Sequence, residues 1–367
     1  MYLREFSLNW QTLMSACVGL ALGSALSHYT TSLFGPALIA QFGWSKAQFA
    51  LLGSLPLLTM PLVPFAGAFV DRFGPRVAAS IGFVAVPLGF LAYAMMSGSI
   101  IEFFTIYAVQ HVFGILTTSM VFCRIVVERF ETARGLALSV VMSAPPLAGA
   151  IAAPVIGSLV ESEGWRAGYF ALAAVTATGG LIAVMTMGRA QRGRSRPPAH
   201  RVSRQQLVQL LRHPTTILIL IGMFLVNVPQ VFASSQLKLI VMDSGISSAT
   251  ATWMMSLYAM GVIIGRFLSG LALDRVEAHY VAIAALGLPA IGYLVFASDI
   301  TAPSLLYAGM LTIGLAQGAE SDIGAYLISK RFDLRNFSLL LSLPTAMIGI
   351  GGAAGSLILS VTQHQTG

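Results

Sequence analysis

The apolar positions of this chain come in long runs, separated by short stretches that hold nearly all of its charge. A hydrocarbon layer ~30 Å thick is crossed by about 20 helical residues. Runs of that size predict eleven spanning helices, numbered here as spans 1 to 11: Trp10–Leu33, Phe49–Val70, Val77–Met96, Ile101–Val127, Gly135–Val160, Ala167–Met187, Thr215–Ile240, Ala249–Leu273, Tyr280–Ala297, Pro303–Ile328 and Phe337–Val361. A basic polar segment, Arg189 to Gln206, separates spans 6 and 7. The first run continues past any signal-peptide cleavage site to about Ala40, which predicts a retained first helix.

Charge sets the orientation, because Lys and Arg gather on the cytosolic side of spanning helices. With the N-terminus in the cytosol, that side holds Arg4, Arg72, Arg76, Arg129, Arg134, the cluster from Arg189 to Arg212, Arg275, Lys330, Arg331 and Arg335. The other side holds Lys46, Arg166 and Lys238. Arg124 and Arg266 lie within spans, and Arg124 and Arg129 are expected to snorkel to the cytosolic headgroups. An odd number of spans puts the C-terminus outside.

Composition agrees with a polytopic membrane protein. Of 367 residues, 56% are hydrophobic and 10% charged, against about 25% charged in soluble domains. A net charge of +7 could point to nucleic acid, but the charges sit between apolar runs, so no nucleic-acid partner is expected. Cys17 and Cys123 fall inside spans and read as small apolar residues. No metal-binding cluster, nucleotide-binding loop or catalytic triad stands out, so no metal, no cofactor and no enzymatic activity are expected.

The chain also repeats internally. Gly67-Ala-Phe-Val-Asp71-Arg72 matches Gly270-Leu-Ala-Leu-Asp274-Arg275, and Arg129-Phe130-Glu131 matches Arg331-Phe332-Asp333, each at an offset of roughly two hundred residues. Two halves of like topology follow: a six-helix bundle over 1–188, a basic cytosolic linker over 189–213, and a five-helix bundle over 214–367.

At these residues the chain resembles the major facilitator superfamily, whose two parallel halves are each built from three-helix repeats. Gly67-x-x-x-Asp71-Arg72-x-Gly74-x-Arg76 matches that superfamily's signature loop. Phe42-Gly43-Trp44-Ser45, Arg134-Gly135-Leu136-Ala137, Gly164-Trp165-Arg166 and Arg266 look closest to the monocarboxylate and oxalate/formate porters. The resemblance implies an all-α, two-bundle transporter with twelve helices, the twelfth having no counterpart here. Val262 stands where those porters place an acid, and their span-1 lysine has no match. The resemblance also implies that Asp71 caps a neighbouring helix and that Arg72 pairs with acids after span 4, for which Glu128 and Glu131 are available. Gly67, Asp71, Arg72, Gly74, Arg76, Glu128, Glu131, Gly270, Asp274 and Arg275 would then form conformational latches.

The candidate chemistry starts at Arg266. A guanidinium at membrane depth is costly and usually faces a cavity or a partner, and it can hold a carboxylate by two parallel hydrogen bonds. Its counterpart in the first half, near Val63, is apolar. The competing reading is a structural ion pair with an acid of span 10. Glu320 and Asp322 sit at nearly the depth of Arg266; two residues apart on a helix, they point about 200° apart, so at most one can face it well. They are the candidate proton-coupling groups. His28, Tyr29, Gln110, His111, Asn227, Gln230 and Gln236 are further polar groups within spans, candidates for substrate contact, with hydrogen-bonded packing as the alternative.

The resulting expectation is a monomeric secondary transporter of the inner membrane, carrying a small organic anion with protons through a midplane site between spans 1, 4, 7, 8 and 10. An exporter of drug-like or lipophilic compounds, and a non-transporting sensor or truncated remnant, are the alternatives.

Overall fold

The computed structural model describes residues 2–44, 57, 59–191, 211–231, 248–298 and 302–366. Helices dominate them: α1 (Tyr2–Leu22), α2 (Ser24–Phe42), α3 (Val63–Phe73), α4 (Pro75–Met95), α5 (Ile100–Gly114), α6 (Ser119–Val127), α7 (Arg134–Glu163), α8 (Trp165–Gln191), α9 (Pro214–Val231), α10 (Ser248–Leu273), α11 (Ala278–Ala297), α12 (Pro303–Arg331) and α13 (Phe337–Thr366). No strand occurs among the described residues, as expected where lipid cannot satisfy backbone polar groups. Lys46, Gln236, Lys238 and residues 192–210 of the basic segment lie outside the described residues.

Six helical stretches among the described residues are long and apolar enough to cross a membrane. Their large apolar side chains also turn outward: Ile151 of α7 is 70% exposed and Leu294 of α11 69%. In water such surface would drive association; against lipid tails it is at home.

Contacts divide the chain into two compact units. The first comprises Met1–Thr132, Val140–Arg201 and Asp333–Ser342, and the second Ala133–Ser139, Val202–Phe332 and Leu343–Gly367. Each unit therefore takes in a short segment from the opposite half of the sequence.

An aromatic cluster fills one part of the first unit. Phe34 stacks on Tyr169 with ring centres 3.9 Å apart, Tyr93 lies 5.0 Å from Tyr169, and Phe103 packs between Trp44 and Tyr93. The turns between its helices use glycine at positive φ, at Gly74, Gly98 and Gly164, where a side chain would be strained.

Two spans that read as single helices are broken in this unit. Span 1 becomes α1 and α2, interrupted at Gly23 (φ −83°, ψ −146°). Span 4 becomes α5 and α6, interrupted by a 3-10 turn over Ile115–Thr117 and by extended Thr118. The breaks meet. The Ser24 N–H at the start of α2 donates to Thr117 Oγ1 at 2.9 Å, and Thr117 is fully buried. A Cβ on Gly23 would lie 2.6 Å from that oxygen. The threonine hydroxyl thus replaces a carbonyl that the interrupted helix no longer supplies.

The second unit is organised by α10 and α12, which pack backbone against backbone. A Cβ on Gly265 would lie 2.0 Å from the Leu315 carbonyl oxygen, and one on Gly318 2.0 Å from that of Val262. Gly261 and Gly314 make the same kind of approach one turn away. Small residues at such a crossing let helices gain dispersion contact that lipid cannot match. α11 closes on the other side of α12, where a Cβ on Gly292 would meet the Gly309 carbonyl oxygen at 2.6 Å.

Candidate functional site

The two repeated turns take the same geometry. Asp71, near the end of α3, accepts from the Ser338 N–H at 3.0 Å and the Leu339 N–H at 2.8 Å. Asp274, just after α10, accepts from the Gly135 N–H at 2.7 Å and the Leu136 N–H at 3.1 Å. Ser338 and Leu339 are the second and third residues of α13; Gly135 and Leu136 are the second and third of α7. In each case a carboxylate takes two of the four N–H groups that a helix start leaves without partners, at its positive end. The glycine four residues earlier makes room. A Cβ on Gly67 would lie 2.6 Å from the Ser338 carbonyl oxygen, and one on Gly270 2.9 Å from that of Gly135.

The first turn is also an ion cluster. Arg124 Nη1 donates to Asp71 Oδ1, and Arg124 Nε to Glu128 at 2.9 Å. Arg124 is only 9% exposed, so the expectation that it snorkels to the headgroups is corrected: the Asp71 carboxylate, brought beside α6, holds it inward. Arg72 lies over the Phe73 ring at 4.9 Å, and Arg72, Arg76 and Arg275 are exposed. The Glu131 N–H donates to Glu5 at 2.6 Å, and Asn9 reaches the Arg129 carbonyl, so the start of α1 ties down the loop after α6.

In the second unit, Arg266 lies near the middle of the second half of α10 and is half-buried. Its carbonyl oxygen accepts from Ser139 Oγ at 2.8 Å and Ser269 Oγ at 3.0 Å. Glu320 and Asp322, on α12, are 4% and 0% exposed. They point to different neighbours. Glu320 accepts from Asn227 Nδ2 of α9, which also donates to the Met223 carbonyl at 2.7 Å. Asp322 Oδ2 lies 2.8 Å from Ser139 Oγ. Gln230 is half-buried beside Pro229, whose carbonyl accepts from the Tyr293 hydroxyl at 3.0 Å.

The polar groups of spans 1 and 4 lie in the first unit. His28 and Tyr29 are exposed and meet edge to face at 5.5 Å; Tyr107 stacks on half-buried His111 at 5.9 Å. Gln110 is 6% exposed and donates to the Val86 carbonyl at 2.9 Å. Ser139 and Thr117 escaped the sequence reading. A hydroxyl in an apolar run carries no signal until its neighbours are known, although the internal repeat does place Ser139 opposite Ser342.

Among known proteins, residues 20–239 and 219–364 match the Major Facilitator Superfamily. The chain is 26% identical over 360 residues to the chloramphenicol resistance protein of Streptomyces lividans, covering 90% of this chain and 88% of that protein. It is 21% identical over 369 residues to monocarboxylate transporter 13 of Bos taurus, covering 98% and 84%. Its fold is similar to the crystal structure of a bacterial homologue of the iron transporter ferroportin, with a TM-score of 0.73 at 15% identity over 95% of this chain and 91% of that one. With family matches that together span most of its length, and two copies of one capped turn, the chain belongs to the Major Facilitator Superfamily of multi-pass membrane transporters.

Proposed function

We propose that this transporter carries a small organic anion, a carboxylate, across the inner (cytoplasmic) membrane by alternating access, coupled to protons. The N-terminus is cytosolic and the C-terminus outside, as the distribution of Lys and Arg favours. The observation that carries this reading is Arg266, a half-buried guanidinium within the apolar helix α10. In this reading it binds the substrate carboxylate, with Asn227 and Gln230 as the further polar groups of the same unit. Glu320 and Asp322 carry the protons. Glu320, bonded to Asn227, and Asp322, beside Ser139, are buried carboxyl groups on α12, which packs against the helix that carries Arg266. Charge that enters beside a buried carboxyl group alters its affinity for a proton. Substrate and proton therefore bind with mutual dependence, as coupled transport requires. Asp71 and Asp274 act as latches, each a carboxylate on a helix start that must let go in one access state.

The likeness to the monocarboxylate transporter supports the anion reading. The higher identity to the chloramphenicol resistance protein favours a second reading, in which the chain exports a drug-like compound. Proteoliposomes separate the two. Loaded with buffer and given an inward proton gradient, they are expected to accumulate at least one member of a panel of short mono- and dicarboxylates, and to stop when a protonophore is added. Proton-driven chloramphenicol transport without carboxylate uptake supports the second reading and overturns the first. Absence of both overturns both.

A further inference from the structure

We infer that Ser139 is a positioning residue that relays the protonation of Asp322 to the backbone of Arg266, a role that rests on the proton-coupled reading above. All the groups involved belong to the second unit: the segment Ala133–Ser139 that opens α7, α10 and α12.

The argument is a count of protons. Ser139 Oγ lies 2.8 Å from Asp322 Oδ2, 2.8 Å from the Arg266 carbonyl oxygen and 3.2 Å from that of Gly135. A serine hydroxyl has one proton to donate and two lone pairs to accept with. When Asp322 is ionised, its carboxylate is the strongest of the three acceptors and draws the Ser139 proton, because charge-assisted hydrogen bonds are roughly twice as strong as neutral ones. The Arg266 carbonyl then loses that donor. When Asp322 is protonated, its own O–H donates to Ser139 Oγ, and Ser139 donates to the Arg266 carbonyl. The chain Asp322→Ser139→Arg266 then runs in one direction through α12, α7 and α10, and ties the start of α7 to the helix that carries the proposed anion site.

Packing makes this hydroxyl hard to move. Ser139 and Asp322 are both fully buried. A Cβ on Gly270 would lie 2.1 Å from Ser139 Oγ, and one on Gly135 2.3 Å from the Gly270 carbonyl oxygen. The hydroxyl is held in a slot cut by two glycines. The other charged groups around it are Asp274, bonded to Gly135 and Leu136; Arg134, 3.4 Å from the Ser329 carbonyl and hydroxyl of α12; Arg266 on α10; and Glu320 on α12, bonded to Asn227. Asp274 is the neighbour whose titration could imitate the effect, so the test includes it.

The test is amide hydrogen–deuterium exchange of the purified protein in lipid nanodiscs from pD 5.5 to 8.5, corrected for the intrinsic pD dependence of exchange. It reads peptides covering 134–142 and 262–273. In the wild type, protection in both is expected to fall about fivefold as Asp322 loses its proton, the change in open population that about one net hydrogen bond sustains. Ser139→Ala should show the low protection at every pD. Asp322→Asn, whose amide donates to Ser139 permanently, should show the high protection at every pD. Asp274→Asn should lower protection near Gly135 yet keep the step. A step that survives in Ser139→Ala, a wild type without a step, or a step that disappears only in Asp274→Asn overturns the inference. Proton-driven uptake is scored separately. Uptake without the step sinks the relay alone, and the step without proton-dependent uptake sinks the transport reading alone.

Discussion

The two repeated turns cap their helices in the same way but are reinforced differently. Asp71 holds the start of α13 while also pairing with Arg124, which in turn pairs with Glu128. Asp274 holds the start of α7 next to a buried serine and a second carboxyl, Ser139 and Asp322. At the position matching Ser139, Ser342 donates only one turn back along its own helix, to Leu339 at 2.6 Å. The capping is the same in both, since it needs only one carboxylate and a helix start. The surroundings differ: one turn sits in an ion cluster, the other beside a buried serine and a second carboxyl group next to Arg266. The first copy is suited to stay closed until a charge is displaced, the second to respond to a proton.

That contrast yields a graded set of expectations, each measured as the change in unfolding free energy of the detergent-solubilised protein. Asp71→Asn should cost the most, about 3 kcal/mol, because it leaves Arg124 buried with a single acid. The double variant Asp71→Asn/Arg124→Met should recover part of that loss; if it is worse than Asp71→Asn alone, the ion cluster is not the source. Gly270→Ala should follow at about 2 kcal/mol, since the added methyl group meets Ser139 Oγ and must displace it. Asp274→Asn should cost about 1 kcal/mol, the ordinary loss of a helix cap; a cost equal to that of Asp71→Asn would erase the difference between the turns. Ser342→Ala should cost less than about 0.5 kcal/mol, because its hydrogen bond is local and its helix stays paired without it.

Much of this architecture could be read from the apolar runs, because bilayer thickness dictates helix length. The divergence of Glu320 and Asp322 was equally legible, since helical geometry alone sends positions two apart to different faces. The helix breaks were not. Gly19-x-x-x-Gly23 reads as close packing, and it is that: a Cβ on Gly19 would collide with the Phe122 ring at 2.2 Å. Nothing in the run shows that Gly23 also stops the helix, because the reason lies ninety-odd residues away in Thr117. Arg124 failed for the same cause. Its place in the last turn of an apolar run suggests snorkelling, and only the fold brings Asp71 to it. Local pattern sets where helices run; long-range pairing decides what their few polar groups do.

The most direct test of the central claim is carboxylate uptake by proteoliposomes bearing Arg266→Ala or Arg266→Lys, alongside a thermal unfolding scan showing both variants folded. The account predicts that the alanine variant loses about a hundredfold in uptake at low substrate concentration. The lysine variant, keeping the charge without the paired hydrogen bonds, should lose about tenfold. Carboxylate uptake at the wild-type rate by a folded Arg266→Ala protein would contradict it.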